Sequence, residues 1–420
     1  MASSPIYLGR QPILDRQGQL HGYELLFRCA QSPDRALVLD DSTATATVIT
    51  NAFSELSLGN ALDGRKMFIN VGEELLFSEA VEFLPTAQVV LEILETIEVT
   101  PAVVERCKAL KARGFALALD DLQEITPANQ PLLSLADIIK VPLLHDWENQ
   151  AALLAHQLQA YPVQLLAERV ETLDQYRKCA ALGYQLFQGY FFARPALLQG
   201  RKLNQDRLTL VTLLNQILDD ADTPVLERTF KTAPGLSVNL LRLTNSVAAG
   251  CHAQIASLRH AITLLGRKQL QRWLQLLLFS GPHTQNLARN PLLQLAATRA
   301  RLMETLMLAQ TPPDRSLADQ AFMVGIMSLT PALLEMSMEE ILTQLSNLPP
   351  LVREALLAHT GPLGKRLRLV EALEWDEEER LPALLADLPG LRQEMLNDLL
   401  CSAMAWAATL GQPAPEAEER

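Results

Sequence analysis

The stretch Phe115-Ala116-Leu117-Ala118-Leu119-Asp120-Asp121 decides how the first half of this chain is read. A short apolar run ends on two adjacent carboxylates. Such a run suits a strand buried on both faces, as in a parallel sheet. Just before it, PAVVERCKALKARG (101–114) places its apolar residues at helical spacing, with basic residues in the last turn and Gly114 as a stop. Just after it, DIIKV (137–141) reads as the next strand. The pattern extends in both directions through LHGYELLF, KMFINV, QVVLEIL, VQLLAE and YQLFQGYFF. Strands alternating with helices over about 200 residues predict a (β/α)8 TIM-like barrel of the α/β class.

The polar residues fall at the carboxyl ends of these strands. Asn70, Glu92, Asp120 with Asp121, Lys140, Glu168 and Gln188 all occupy such positions. In a parallel barrel, side chains placed there share one mouth, the face where barrel enzymes build their sites. One carboxylate at a strand end is ordinarily a helix cap; six strands ending alike point to a site. Carboxylates with an amide oxygen are hard ligands, suited to Mg2+ or Mn2+ rather than zinc. Paired ions of that kind clamp the attacking and leaving oxygens of a phosphodiester. A lysine beside them can hold a phosphate or a water, and a glutamate can act as general base.

Beyond residue 200 the character changes. Residues 201–410 are rich in Leu, Ala and Gln with helical periodicity, as in RLTLVTLLNQILDD, and breaks fall at APGLS, QTPPDRS and NLPP. The expected organisation is a barrel over 1–200, an all-α domain over 201–410 and a disordered tail over 411–420. The chain has 420 residues, 49% of them hydrophobic, too many for one ordinary core. No uncharged apolar run of spanning length and no signal peptide are evident, and the five cysteines are scattered, so a cytoplasmic protein with reduced thiols is expected. The net charge of −12 argues against general nucleic-acid binding, although residues 201–310 carry 13 Lys and Arg against 6 Asp and Glu. Arg259, Arg267, Lys268 and Arg272 within that segment are candidates for a shared basic face.

In order, Glu24 in YELLFR, Asn70 in FINV, Glu92 in LEILE, Asp120-Asp121, Lys140 in IIKV, Glu168 and Glu171 in AERVE, and Gln188 in FQGYFFARP resemble the EAL domains, which hydrolyse cyclic di-GMP with two divalent ions. The resemblance implies that Glu24, Asn70, Glu92, Asp120 and Asp121 are metal ligands for Mg2+ or Mn2+. It implies that Lys140 positions phosphate or water, that Glu168 is the base, and that Arg28 and Gln188 contact the dinucleotide. Glu95 and Glu171 match supporting residues. The departures lie beside these positions. EAL domains that are active follow the paired aspartates with Phe-Gly-Thr-Gly, where this chain has Leu122-Gln123-Glu124-Ile125. Pro142 stands where Lys-x-Asp has its carboxylate, and Arg169 replaces the glycine of Ala-Glu-Gly-Val-Glu.

In the second half, SVNLLRLTNSVAAG (237–250) and QIASLRHAITLLGRKQLQRWLQLLL (254–278) resemble HDOD domains, relatives of HD phosphohydrolases that lack the metal-binding His and Asp. Together the two resemblances imply a bacterial signalling protein related to cyclic-di-GMP phosphodiesterases. The expected form is a weakly active or non-catalytic adaptor or receptor, whose barrel binds a nucleotide or protein and whose HDOD domain docks a protein partner. A homodimer is compatible with this. The alternative is an active Mg2+- or Mn2+-dependent phosphodiesterase that releases the linear dinucleotide.

Overall fold

The computed structural model describes residues 6–29, 65–193, 205–247, 257–279, 289–310, 312–334, 336–345, 348–374, 380–388 and 390–410. The side chain of Arg28 and the 411–420 tail lie outside the described residues. The chain divides into two units, one of residues 1–194, 289–291 and 368–408, the other of residues 195–288, 292–367 and 409–420. Residues 368–408, which the sequence reading places in the helical half, group with the barrel.

The first unit is a closed eight-stranded barrel: β1 (Ile6–Asp15), β2 (Leu20–Cys29), β3 (Lys66–Val71), β4 (Val89–Ile93), β5 (Ala116–Leu119), β6 (Ile138–Pro142), β7 (Gln164–Glu168) and β8 (Leu186–Gln188). The barrel is as expected, but not wholly parallel. β1 pairs antiparallel with both β2 and β8, while every other pairing is parallel. The reason is the connection after β1. Asp15 Oδ1 accepts hydrogen bonds from the Gln17 and Gln19 amides at 2.9 Å each, and Gly18 sits at φ +69. A turn that tight returns the chain directly, whereas a parallel crossover needs roughly a dozen residues or more.

The helices between strands carry the signals read from the sequence. Thr100 caps the helix Pro101–Ala112 by accepting from the Val103 amide at 3.3 Å, and Val103, Cys107 and Leu110 form its buried stripe. The helix Leu173–Leu182 opens with a capping box between Thr172 and Gln175 and closes on Gly183 in the left-handed region. Helix Gln393–Ala408 packs on β1.

Inside the barrel, Ile13, Phe68, Val90, Ala118, Ile138, Leu166 and Leu186 form one buried layer with a residue from each of seven strands. β2 contributes Gly22 at that level, opposite Ile13, and a Cβ there would lie 2.4 Å from the Lys66 carbonyl oxygen. The second unit is helical throughout its described residues, from Gln205–Leu218 to Pro350–Ala358. Arg315–Leu334 is long and apolar enough to cross a membrane, but 67% of its apolar 18-residue window is buried inside the protein, as in the core helix of a globular domain.

Candidate functional site

Side chains on a strand repeat every second residue, so the position two beyond each core-layer residue faces the same interior. Those positions are Asn70 above Phe68, Glu92 above Val90, Asp120 above Ala118, Lys140 above Ile138, Glu168 above Leu166 and Gln188 above Leu186. Glu24 joins them from β2, two residues past Gly22. β1 runs the other way, so its contribution lies two residues before Ile13, at Gln11, which pairs with Glu24.

At the centre of this layer is Lys140, 1% exposed. Its Nζ lies 3.2 Å from Glu24 Oε2, 2.9 Å from Glu92 Oε1, 2.8 Å from Asp120 Oδ1 and 2.9 Å from Glu168 Oε1. Asn70 Nδ2 donates to Glu24 Oε1 at 3.0 Å, and Gln188 Nε2 donates to Glu24 Oε2 at 2.5 Å and to Gln11 Oε1 at 2.7 Å. Gln11 is the member of this layer that the sequence reading missed, because the segment Ile6–Asp15 is not among the runs read there as strands.

One ammonium faces four carboxylates, and the imbalance sorts their protonation. Burial works to raise the Glu24 carboxyl, but the Lys140 charge and the hydrogen bonds from Gln188, Asn70 and Lys140 outweigh it and hold Glu24 below the usual range. Glu92 is pushed well above that range by burial and by the charges of Glu24 and Asp120, against the pull of Lys140. Glu168 is raised to about 7, by burial first and then by Asp120 and Glu24. Burial alone would lower the Lys140 ammonium, but Glu168, Glu24, Glu92 and Asp120 together raise it well above normal.

Whether these residues suit a divalent ion is decided by their unused oxygens. Asn70 Oδ1, Glu92 Oε2 and Gln188 Oε1 are buried without a hydrogen-bond partner. Glu92 Oε1 and Asp120 Oδ1 have Lys140 within ion-pair range but off the hydrogen-bonding direction. Buried orphan oxygens are costly, and a hard cation satisfies such a set. Among the described residues no group of three or more His, Cys, Asp and Glu stands as a ready cage; the carboxylates converge on Lys140 instead. The donors therefore fit Mg2+ or Mn2+ in kind, with Glu24, Asn70, Glu92 and Asp120 as the residues that would hold it.

The remaining predicted positions stand outside the ring. Asp121 has φ +46, and its Oδ2 accepts from Gln123 Nε2 at 3.2 Å. Glu95 and Glu171 are exposed. Leu122 is buried and its amide donates to the Lys140 carbonyl at 2.9 Å. The segment that replaces the glycine loop is tied down by Gln150 Nε2 on the Gln123 carbonyl and Asn129 Nδ2 on the Glu124 carbonyl, each 2.9 Å. Pro142 ends β6 opposite Glu168. Arg169 is exposed at φ +55. In the helical unit the candidate basic face is neutralised within the chain: Arg259 pairs with Glu227, Arg267 with Asp220, Lys268 with Asp319, and Arg272 with Glu304 and Asp319.

A barrel with this layer is the frame of an EAL domain, and comparison with known proteins agrees. The EAL domain profile matches residues 6–195 and the HDOD domain profile matches residues 208–343. Two relatives align over nearly the whole chain. YuxH of Bacillus subtilis, an uncharacterised protein, is 32% identical over 88% of this chain and 92% of its own. A Vibrio cholerae protein named as the cyclic di-GMP phosphodiesterase CdgJ is 31% identical over 93% of this chain and 91% of its own. Among solved structures, the manganese and cyclic-di-GMP complex of Klebsiella pneumoniae BlrP1 is similar at 22% identity over 46% of this chain and 56% of that one, with a TM-score of 0.38. The chain belongs to the EAL–HDOD family, and its barrel is an EAL domain related to the cyclic-di-GMP phosphodiesterases.

Proposed function

We propose that this protein is a cyclic-di-GMP receptor in bacterial signalling, whose barrel binds the dinucleotide over the Lys140 ring with little or no turnover and whose HDOD domain passes the bound state to a protein partner. The observation that carries this reading is the position of Asp121. The resemblance makes it a second-metal ligand, yet its carboxylate is engaged by Gln123 and lies outside the Lys140 ring. Two-ion phosphodiester chemistry needs both ions in place, and a misplacement of about 1 Å can cost about 100-fold; the glycine-free segment after Asp121 is fixed by its own hydrogen bonds. A single divalent ion on Glu24, Asn70, Glu92 and Asp120 would supply charge to neutralise a phosphate. Titration with cyclic di-GMP in Ca2+ and then Mn2+, with chromatography of the products, tests the reading. Binding without linear dinucleotide supports it; neither binding nor turnover refutes it.

One observation favours the second reading, that of an active phosphodiesterase. Glu168, with its carboxyl raised to about 7, has the proton affinity that suits a general base near neutral pH. Linear product that vanishes in Glu168→Gln would establish that reading instead.

A further inference from the structure

Arg169 has two properties that do not ordinarily go together. Its backbone is in the left-handed region, at φ +55, where a side chain costs energy and glycine does not. Its guanidinium is exposed and, among the described residues, has no hydrogen bond or ion pair to any other part of the chain. The strain is imposed from both sides. The Leu143 amide donates to the Glu168 carbonyl at 3.1 Å and the Val170 amide to the Gln188 carbonyl at 2.9 Å. Gly189, at φ +144, lies so close that a Cβ on it would sit 2.1 Å from the Val170 carbonyl oxygen. The turn holding Arg169, which follows β7 one residue past Glu168, is thus clamped between the ends of β6 and β8. Unfavourable backbone geometry that no internal contact repays tends to mark a site of function.

We propose that Arg169 is an anion-contacting residue at the barrel mouth, which binds a phosphate of the dinucleotide lying over the Lys140 ring. The assignment rests on the receptor reading above and adds a ligand contact made by the position at which this chain departs from the EAL pattern. The ring itself repels a phosphate, because four carboxylates surround one ammonium. An arginine one residue past Glu168, without a partner among the described residues, supplies an opposing charge and a planar fork that matches phosphate oxygens.

The test uses the full chain as wild type, Arg169→Gly and Arg169→Lys. Each is titrated calorimetrically with cyclic di-GMP in Ca2+ at 50 and 200 mM NaCl and melted without ligand. The expected result is a roughly 5- to 30-fold loss of affinity for Arg169→Gly, smaller at the higher salt, with Arg169→Lys between. The ligand-free melting midpoint of Arg169→Gly should be unchanged or raised, because the strain is relieved. Equal affinity in wild type and Arg169→Gly overturns the proposal and leaves the receptor reading standing. A lowered midpoint with the loss of affinity makes Arg169 structural and also overturns it. If wild type does not bind at all, the receptor reading fails and the proposal fails with it.

Discussion

Replacing Lys140 with methionine should expose how much of the barrel's stability is held in its central ion cluster. Lys140 is 1% exposed and contacts four carboxylates at 2.8–3.2 Å, of which Glu92 is fully buried. Removing one partner from a buried pair costs about 3–5 kcal/mol, since it leaves a charge without solvent or counter-ion. Four carboxylates would be stranded together here, and proton uptake limits the damage. Glu92 already holds its proton well above the normal range, and Glu168 does so up to about 7. The loss should therefore be about 3–5 kcal/mol at pH 8 and clearly smaller at pH 5.5. For a unit of this size that is a fall of about 6–20 °C in melting midpoint at the higher pH. Scanning calorimetry of the full chain with a chelator at both pH values is the assay, and Mn2+ should restore part of the loss at pH 8. A fall of less than about 2 °C at pH 8, or equal falls at both pH values, would refute the account of Lys140 as the counter-ion of the layer.

Three further outcomes are expected. In the metal-free wild type, Glu168 keeps its proton to about pH 7 when folded but loses it near the ordinary glutamate value of 4.5 when unfolded, so the folded state binds more protons across that window and stability drops as pH rises through it; the unfolding free energy from urea titrations should be lower at pH 8 than at pH 5, with about 3 kcal/mol of the fall from Glu168 and a further part in the same direction from Glu92, and higher stability at pH 8 would contradict the sign. Gly189→Ala should destabilise the barrel by about 2 kcal/mol or more, since its Cβ meets the Val170 carbonyl at 2.1 Å with φ at +144; a thermal melt within 1 °C of wild type would show that the β7 and β8 ends are not in contact. Gly325→Ala in the helix Arg315–Met327 places a Cβ 2.5 Å from Ala300 Cα, so it should cost about 1–3 kcal/mol in the helical unit and leave cyclic-di-GMP affinity unchanged, as read by chemical denaturation and calorimetric titration.

Much of the site was legible because strand periodicity and strand ends are local signals. Asn70, Glu92, Asp120, Lys140, Glu168 and Gln188 could be placed in one mouth from their offsets alone, and the structure puts each two residues beyond a core residue. What escaped depends on pairing partners far away in the chain. The antiparallel course of β1, and with it Gln11, follows from a hairpin closed by Asp15 and Gly18. Lys140 reads in sequence as a phosphate or water ligand; only the assembled barrel shows four carboxylates gathered around it. Asp121 follows Asp120 directly, yet its left-handed φ turns its carboxylate away to Gln123. The helical unit's basic residues suggested an open face, but their acidic partners lie up to 51 residues away in sequence and so left no local trace.

The antiparallel first strand has a consequence for how the protein is made. β1 joins the barrel by pairing Ile13 with Gln188, and Glu24 waits for Lys140, 116 residues later, and for Gln188, 164 residues later. At translation rates of about 5–20 residues per second, the Gln188 partner of Glu24 emerges on the order of 8–33 s after it. Throughout that interval the nascent chain carries a glutamate, bound for a dry interior, that lacks the full set of contacts that later sustains its charge. Closure of the barrel and neutralisation of its centre are therefore one event, and it falls at the end of synthesis of the first 190 or so residues rather than along the way.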